Sequence, residues 1–206
     1  MKIIITRHGQ TNHNIANVIQ GHEEGDINDV GYNQIENLAK KLKKYNINKI
    51  ISSDVKRCRV TSEIISSFLS LNIEYEPLIR EKNNGDLIGK KGSEVNWDII
   101  HGSFISKRPH NGENLLMVRS RAREFIKKIE NDFYNENNRI LIVSHSGYLK
   151  ILLGYILGMK IRDSILRLQI DNCSISEIEI HKNKSVFEYK IISLHDDVLV
   201  IKYSGL

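Results

Sequence analysis

The sequence predicts an α/β domain: a buried sheet flanked by amphipathic helices, with antiparallel strands at one edge. Three observations carry the prediction. Ile3-Ile4-Ile5 and Ile140-Leu141-Ile142-Val143 are unbroken apolar runs, which suits strands covered on both faces. Between them lie segments whose apolar residues recur at spacings of three and four, the period of a helix with one buried face. The tail alternates instead, through Ile175, Ile178 and Ile180 and then Val186 to Leu194, as half-buried antiparallel strands do. At 206 residues, with no internal repeat and no linker-like stretch, the chain reads as one domain over 1–206.

Taken in order, the first strand ends at Arg7-His8-Gly9, and Gln10 to Asp26 is polar and aperiodic, a loop. Asn28 can cap a helix that buries Ile35, Leu38, Ala39, Leu42 and Tyr45, with Lys40, Lys41, Lys43 and Lys44 mostly on its other face. Lys49 to Ser52 is a short strand. Ser53 or Asp54 then caps a helix with Cys58, Thr61, Ile64, Ile65 and Phe68 facing inward. A third strand near Ile73 to Tyr75 stops before Pro77, and residues 80–112 are irregular apart from a short helix around Ser93 to Ile100. Leu115, Val118, Ala122, Phe125, Ile129 and Phe133 mark a long helix. The run Arg139 to Ser144 repeats the theme of the first strand and ends at His145-Ser146-Gly147. The next helix reaches about Leu157, with Gly158 as its C-cap.

Composition narrows the function classes. The net charge of +5 favours anionic partners. Cys58 and Cys173 are far apart and give neither a disulfide framework nor a zinc spacing, which fits a reducing cytoplasm. Met1 runs straight into the first strand with no signal-peptide pattern, and the apolar stretch from Leu149 to Leu157 is too short to span a bilayer. A cytoplasmic protein without a membrane partner is expected.

The chemistry gathers at strand ends. In open α/β sheets ligands bind at the carboxyl ends of strands, and here those ends carry His8, His145 and Ser52-Ser53-Asp54, the last leading to Arg57. If these strands are parallel, Arg7, His8, Arg57 and His145 converge into an electropositive pocket. Guanidinium forks match phosphate oxygens, and the amides of Ser146 and Gly147 at a helix N-terminus would favour the same dianion.

These residues resemble a known family. Arg7-His8-Gly9-Gln10-Thr11 with Asn14 is similar to the signature of the histidine phosphatase superfamily, the phosphoglycerate-mutase-like fold. The resemblance continues in Gln20-Gly21-His22, in Asn28 to Gln34, in Ser52 to Thr61, in Leu78-Ile79-Arg80-Glu81, in Gly112-Glu113-Asn114 and in Val143 to Gly147. Nearly the whole chain is covered, in the family's order. The resemblance implies a three-layer sandwich with a mostly parallel central sheet and antiparallel edge strands. It implies His8 as a nucleophile forming a phosphohistidine, its other ring nitrogen held by a backbone carbonyl such as that of Gly9. Arg7, Arg57 and His145 would hold the phosphoryl oxygens, Asn14 would add a neutral donor, and Gln20 and Gly21 would contact the phosphate or the substrate body. Glu81 would protonate the leaving oxygen, with a pKa raised by partial burial. Neither metal nor cofactor is implied.

Each assignment has a plainer counterpart. Arg57 fits a solvated helix face, Glu81 a surface pair with Arg80, Glu113 a cap for the long helix, Cys58 a small core residue, and Trp97 either a pocket wall or the core. His13, His22, His101, His110, His181 and His195 read as loop or strand histidines, with His22 nearest the site. Where family members commonly carry an aromatic before Gly85 this chain has Asn84, which would alter the pocket beside Glu81. Ile27-Asn28 replaces a Leu-Thr pair and exchanges one N-cap for another.

The short insert after Glu81, whose cations are Lys90, Lys91, Lys107 and Arg108 and which lacks a tyrosine before Tyr134, resembles the phosphatase branch. The expected activity is metal-independent hydrolysis of small phosphomonoesters such as alpha-ribazole phosphate, sugar phosphates or phosphoserine. The alternative is a cofactor-dependent phosphoglycerate mutase. A nucleic-acid module built on Arg119, Arg121, Arg123, Lys127 and Lys128 is disfavoured because the acids nearby, Glu124, Glu130 and Asp132, make a solvated helix face the better reading. A silent scaffold is disfavoured because the full set of reactive residues is present. The alternating C-terminal strands offer an edge for a homodimer.

Overall fold

The computed structural model describes residues 1–23, 25–184, 186–194 and 197–204. His195 lies outside them. Their strands form one sheet, in the order β3-β2-β4-β1-β5-β6-β7. Strands β1 (Lys2–Arg7), β2 (Lys49–Ser52), β3 (Ile73–Tyr75) and β4 (Arg139–Ser144) run parallel. Strands β5 (Ile175–Asn183), β6 (Val186–Leu194) and β7 (Asp197–Ser204) continue the sheet antiparallel from β1. The parallel half with an antiparallel edge is the arrangement expected.

Alternation along the parallel strands splits the core into two layers, because successive side chains point to opposite faces. Ile3, Ile5, Ile51, Ile140 and Ile142 pack on one side with α4 (Leu115–Asp132), α5 (Ser146–Ile156) and α6 (Ile161–Arg167). Ile4, Ile50, Leu141 and Val143 pack on the other with α2 (Asp29–Leu42) and α3 (Lys56–Leu69). The result is the three-layer sandwich. Asn28 caps α2 by accepting from the Gly31 amide at 2.8 Å, and the αL conformation of Gly158 (φ +64°) follows the end of α5.

Several local expectations change. The loop after β1 contains a one-turn helix, α1 (Asn12–Ile15), closed by a capping box between Thr11 and Asn14. Neither Ser53 nor Asp54 caps α3. Val55 holds that position, because the Asp54 carboxylate is drawn to Arg80 and the Ser53 hydroxyl to His145. Phe68 is not part of the buried stripe of α3; it is exposed, with the Lys43 ammonium 4.6 Å from its ring. Around residues 93–100 there are two 3₁₀ turns, Gly92–Glu94 and Trp97–Ile99, instead of one helix. The Asn96 side chain accepts from the Asp98 amide and starts a new turn there. Asn114, not Glu113, caps α4, since the Glu113 carboxylate pairs with Arg121 at 2.8 Å. Helix α6 has no side-chain cap and no sequence signal announced it.

The register places the site. Arg7 lies opposite Ser144, and Ser52 opposite Val143, so the three strands end level. Their next residues, His8, His145 and Ser53, therefore leave the sheet side by side. The His8 amide donates to the Ser144 carbonyl at 3.0 Å and the Ser53 amide to the Val143 carbonyl at 3.0 Å, extending the ladder into the site.

Helix α6 is held against α5 through Gly154, where an added Cβ would lie 2.2 Å from the Ser164 Cβ. Overpacking of this kind costs about 1–3 kcal/mol. Gly154→Ala is therefore expected to lower unfolding stability by about that amount, measured by urea denaturation. An unchanged midpoint would show that the two helices are not in this contact.

Candidate active site

Beyond the carboxyl ends of β1, β2 and β4 lies a cavity of about 310 Å³ whose wall includes Arg7, His8, Asn14, Gln20, Gly21, Arg57, Glu81 and Gly147. His8 is buried, and its Nδ1 sits 2.7 Å from the Gly9 carbonyl. A carbonyl only accepts, so Nδ1 carries the proton and Nε2 keeps its lone pair. Nε2 in turn accepts from the Arg57 Nε at 3.2 Å. His145 stands edge-on to His8 with ring centroids 5.4 Å apart, its Nε2 2.8 Å from the Ser53 hydroxyl and 3.4 Å from the Cys58 thiol.

Both imidazoles are held well below the ordinary histidine pKa. For His8 burial is the largest cause, followed by the positive charges of Arg57 and Arg7; the bond to Gly9 works the other way. For His145 burial again leads, with Arg57 next. In the empty site both rings are neutral at neutral pH.

Arg57, expected to serve the pocket and with a solvated face as its plainer counterpart, is only 1% exposed. Its other two nitrogens donate to backbone carbonyls, Nη1 to Glu23 at 3.0 Å and Nη2 to Gly21 at 2.8 Å. Arg7 donates from Nη1 to the Ile170 carbonyl at 3.0 Å, while its buried Nε has no partner. Among the described residues, neither guanidinium is answered by a carboxylate at ion-pair distance. An anion in the cavity would supply what they lack.

Glu81 occupies a place that the sequence did not disclose. Its Oε1 accepts from the Lys82 and Tyr148 amides at 2.9 and 3.0 Å, and its Oε2 from the Gly147 amide at 3.1 Å. The first turn of α5 thus binds a carboxylate of the chain itself. This corrects the expectation that the Gly147 amide holds the dianion. The Ser146 side chain is not on the cavity wall, and its hydroxyl lies 3.5 Å from the Ile170 carbonyl. Gly147 is needed for the approach, since a Cβ there would sit 2.6 Å from Glu81 Oε1. Oε2 accepts one amide and retains a free lone pair, so it is the oxygen able to carry a proton.

The remaining predicted residues are arranged around this centre. Asn14 accepts through Oδ1 from the Thr11 amide and the Asn172 side chain, which leaves its NH₂ as a donor. Gln20 accepts from the Thr11 hydroxyl, and Gly21, at φ +53°, turns its carbonyl to Arg57. His22 borders the site through an Nε2 contact to the Glu81 carbonyl at 2.7 Å. Cys58 is a buried core thiol whose pKa is raised, chiefly by burial. Arg80 pairs with Asp54, so it is not the partner of Glu81. Trp97 belongs to a pocket wall and not to the core.

Two residues escaped the sequence reading. Lys82 lines the cavity with its ammonium 2.7 Å from the Asn84 Oδ1, its pKa lowered mainly by burial. Asn172 donates to the His8 carbonyl at 2.8 Å. Adjacency to Glu81 was the only signal for the first; nothing local marked the second.

No helix among the described residues is long and apolar enough to cross a membrane. Arg119, Arg121 and Lys128 of the basic stretch on α4 are used inside the fold, donating to the Met159 carbonyl, Glu113 and Glu76 respectively.

Comparison with known proteins places this geometry in a family. The model of the histidine phosphatase superfamily (branch 1) matches residues 3–191. A probable phosphoglycerate mutase GpmB of Erwinia tasmaniensis is 30% identical over 213 aligned positions, covering 100% of this chain and 97% of that protein. A probable phosphatase of Schizosaccharomyces pombe is 31% identical, covering 87% of each. Among solved structures, a putative alpha-ribazole-5'-P phosphatase from Escherichia coli superposes with a TM-score of 0.83 at 23% identity, covering 98% of both chains. A mycobacterial glucosyl-3-phosphoglycerate phosphatase superposes with a TM-score of 0.83 at 20% identity, covering 94% and 98%. With the family model spanning both histidine-bearing strands, the chain is an enzyme of the histidine phosphatase superfamily (branch 1).

Proposed function

We propose that this enzyme hydrolyses phosphomonoesters of small metabolites through a phosphohistidine on His8, without a metal. The observation that carries the reading is the His8 tautomer. The Gly9 carbonyl fixes the proton on Nδ1, and Nε2 presents a lone pair beside Arg57, on a cavity wall shared with Arg7, neither guanidinium being ion-paired to a carboxylate among the described residues.

In this mechanism the phosphoryl group enters between Arg7 and Arg57, and the Arg57 Nε moves its hydrogen bond from His8 to a phosphoryl oxygen. The Nε2 lone pair attacks phosphorus in line. The N–P bond forms, the P–O ester bond breaks, and the leaving oxygen takes a proton from Glu81 Oε2. Water then attacks phosphorus and gives a proton to Glu81. The N–P bond breaks with its electron pair returning to Nε2, and inorganic phosphate leaves. Arg7, Arg57, His145 and the Asn14 amide stabilise the equatorial oxygens in both steps. A dianion beside the neutral His145 ring favours its protonation, so His145 can become a charged donor once substrate is bound, while the His8 Nε2 lone pair is committed to phosphorus.

Phosphoglycerate mutase chemistry is the second reading, favoured by the similarity to GpmB proteins. The two differ in the acceptor of the phosphoryl group, a water or a second hydroxyl.

His8→Ala should reduce phosphate release from p-nitrophenyl phosphate by about 10³-fold or more, and acid-labile phosphoprotein, present in the parent after rapid quenching, should disappear. Glu81→Gln should lower turnover of alkyl phosphates by about 10²–10⁴-fold and that of p-nitrophenyl phosphate far less, because p-nitrophenolate needs no proton to leave. Equal losses for both esters would remove Glu81 from the role of acid. Mutase-rate transfer between phosphoglycerates, dependent on a bisphosphate, would replace hydrolysis by the second reading.

The pH profile follows from His8. The nucleophile must be neutral, and its pKa in the free enzyme lies below the ordinary 6.5. Once the titration of the ester itself is divided out, kcat/KM should hold level as pH falls through 6.5 and drop only further into the acid range. An acid limb at or above 6.5 would contradict the buried, guanidinium-flanked imidazole.

A further inference from the structure

Beside the catalytic cavity lies a second pocket of about 440 Å³, walled by Trp97, Phe104, Leu115, Ile165 and Lys107, with Lys82 and Asn84 on the side shared with the cavity. Leu115, Ile165, Lys82 and Asn84 line both spaces, so the two adjoin. We propose that this pocket binds the leaving-group body of the ester and selects a compact apolar one, a ring-sized hydrocarbon or aromatic moiety, over small polyols and over a second phosphate. The proposal rests on the hydrolytic reading of the site and names its substrate class.

Three features support it. First, the wall keeps two large aromatic faces in solvent, Trp97 at 40% and Phe104 at 41% exposure, a cost that a ring-shaped occupant would remove. The space is ample, since a cavity of about 150 Å³ already accepts benzene. Second, the wall is braced. The Lys107 ammonium donates to the Trp97 carbonyl at 2.7 Å, and the Arg162 guanidinium lies 5.4 Å from the Phe104 ring centroid. Third, the charged and polar groups of this region are answered from within. Lys107 lies 3.6 Å from Asp98, and the side chains of Lys82 and Asn84 bind one another at 2.7 Å. Asn84 also donates to the Lys82 carbonyl at 3.2 Å. A second anionic group would compete with these partners for the two ammoniums, whereas an apolar ring leaves the bonds intact.

Trp97 is the only tryptophan of the chain, so its fluorescence reads the pocket directly. Cyclohexylphosphonate has a P–C bond that hydrolysis at an ester oxygen cannot cleave, and it is transparent where tryptophan is excited. Titrated into the wild-type enzyme, it should shift Trp97 emission saturably to the blue, and methylphosphonate should not. In turnover, kcat/KM for cyclohexyl phosphate should exceed that for glycerol 2-phosphate by about tenfold or more, carried mainly by KM, and Trp97→Ala should collapse that ratio about tenfold. Hydrolysis of both esters at similar kcat/KM with no spectral shift would overturn the apolar subsite and leave the hydrolytic reading standing. A saturable shift without hydrolysis of either ester would support the subsite as a binding pocket and overturn the hydrolytic reading.

Discussion

The structure depends on two guanidiniums, Arg57 buried and Arg7 half-buried, that no carboxylate of the described residues meets at ion-pair distance. Moving a cation out of water costs several kcal/mol unless it is paired or fully hydrogen-bonded. Arg57 meets that cost with the carbonyls of Gly21 and Glu23 and with the lone pair of His8, and Arg7 meets it only in part, through Ile170. These are dipoles, not charges. Burial first, and then the positive potential they leave, keeps both imidazoles neutral. On the proposed function, a phosphate dianion would add counter-charge there and stabilise the folded chain as it binds. The same fields that favour binding also favour the transition state, in which charge spreads over the phosphoryl oxygens.

The sheet makes this arrangement possible. Parallel strands β1, β2 and β4 end level, so residues far apart in sequence emerge within a few ångströms of one another without long loops. The two core layers, packed on opposite faces, hold those ends in place. The antiparallel strands carry no catalytic group in the proposed mechanism. Asn172, just ahead of β5, nevertheless anchors the His8 carbonyl from that side.

Legibility in the sequence followed the range of the forces involved. The β-branched runs at Ile3 and Ile140 mark buried strands because burial on both faces demands unbroken apolarity. Asn28 marks a helix start because its bond to Gly31 spans only three residues. Short-range signals failed where two partners competed for one side chain, as at Asp54, taken by Arg80, and Glu113, taken by Arg121. Glu81 shows the limit most clearly. Its chemical type and position were readable, but its bonds to the Gly147 and Tyr148 amides join residues 66 and 67 positions apart, which no local pattern encodes. The pocket at Trp97 was open for the same reason: 3₁₀ turns place side chains without the periodicity that distinguishes wall from core.

The capture of the first turn of α5 by Glu81 bears on which acceptor the phosphoryl group meets. With the Gly147 and Tyr148 amides taken by a carboxylate, the proposed mechanism leaves phosphate binding chiefly to the side-chain cations of the cavity. A mutase must grip a second anionic end of its substrate while the phosphohistidine waits. The space that opens beyond Glu81 offers Trp97, Phe104, Leu115 and Ile165, with Lys82 bonded to Asn84 and Lys107 turned to the Trp97 carbonyl and Asp98. An alcohol leaving into such a pocket carries no charge to hold it there. It can depart before it accepts the phosphoryl group back, leaving water as the competing nucleophile beside Oε2. Hydrolysis is then the outcome that the wall chemistry favours, and it follows from how the leaving side is lined more than from the histidine itself.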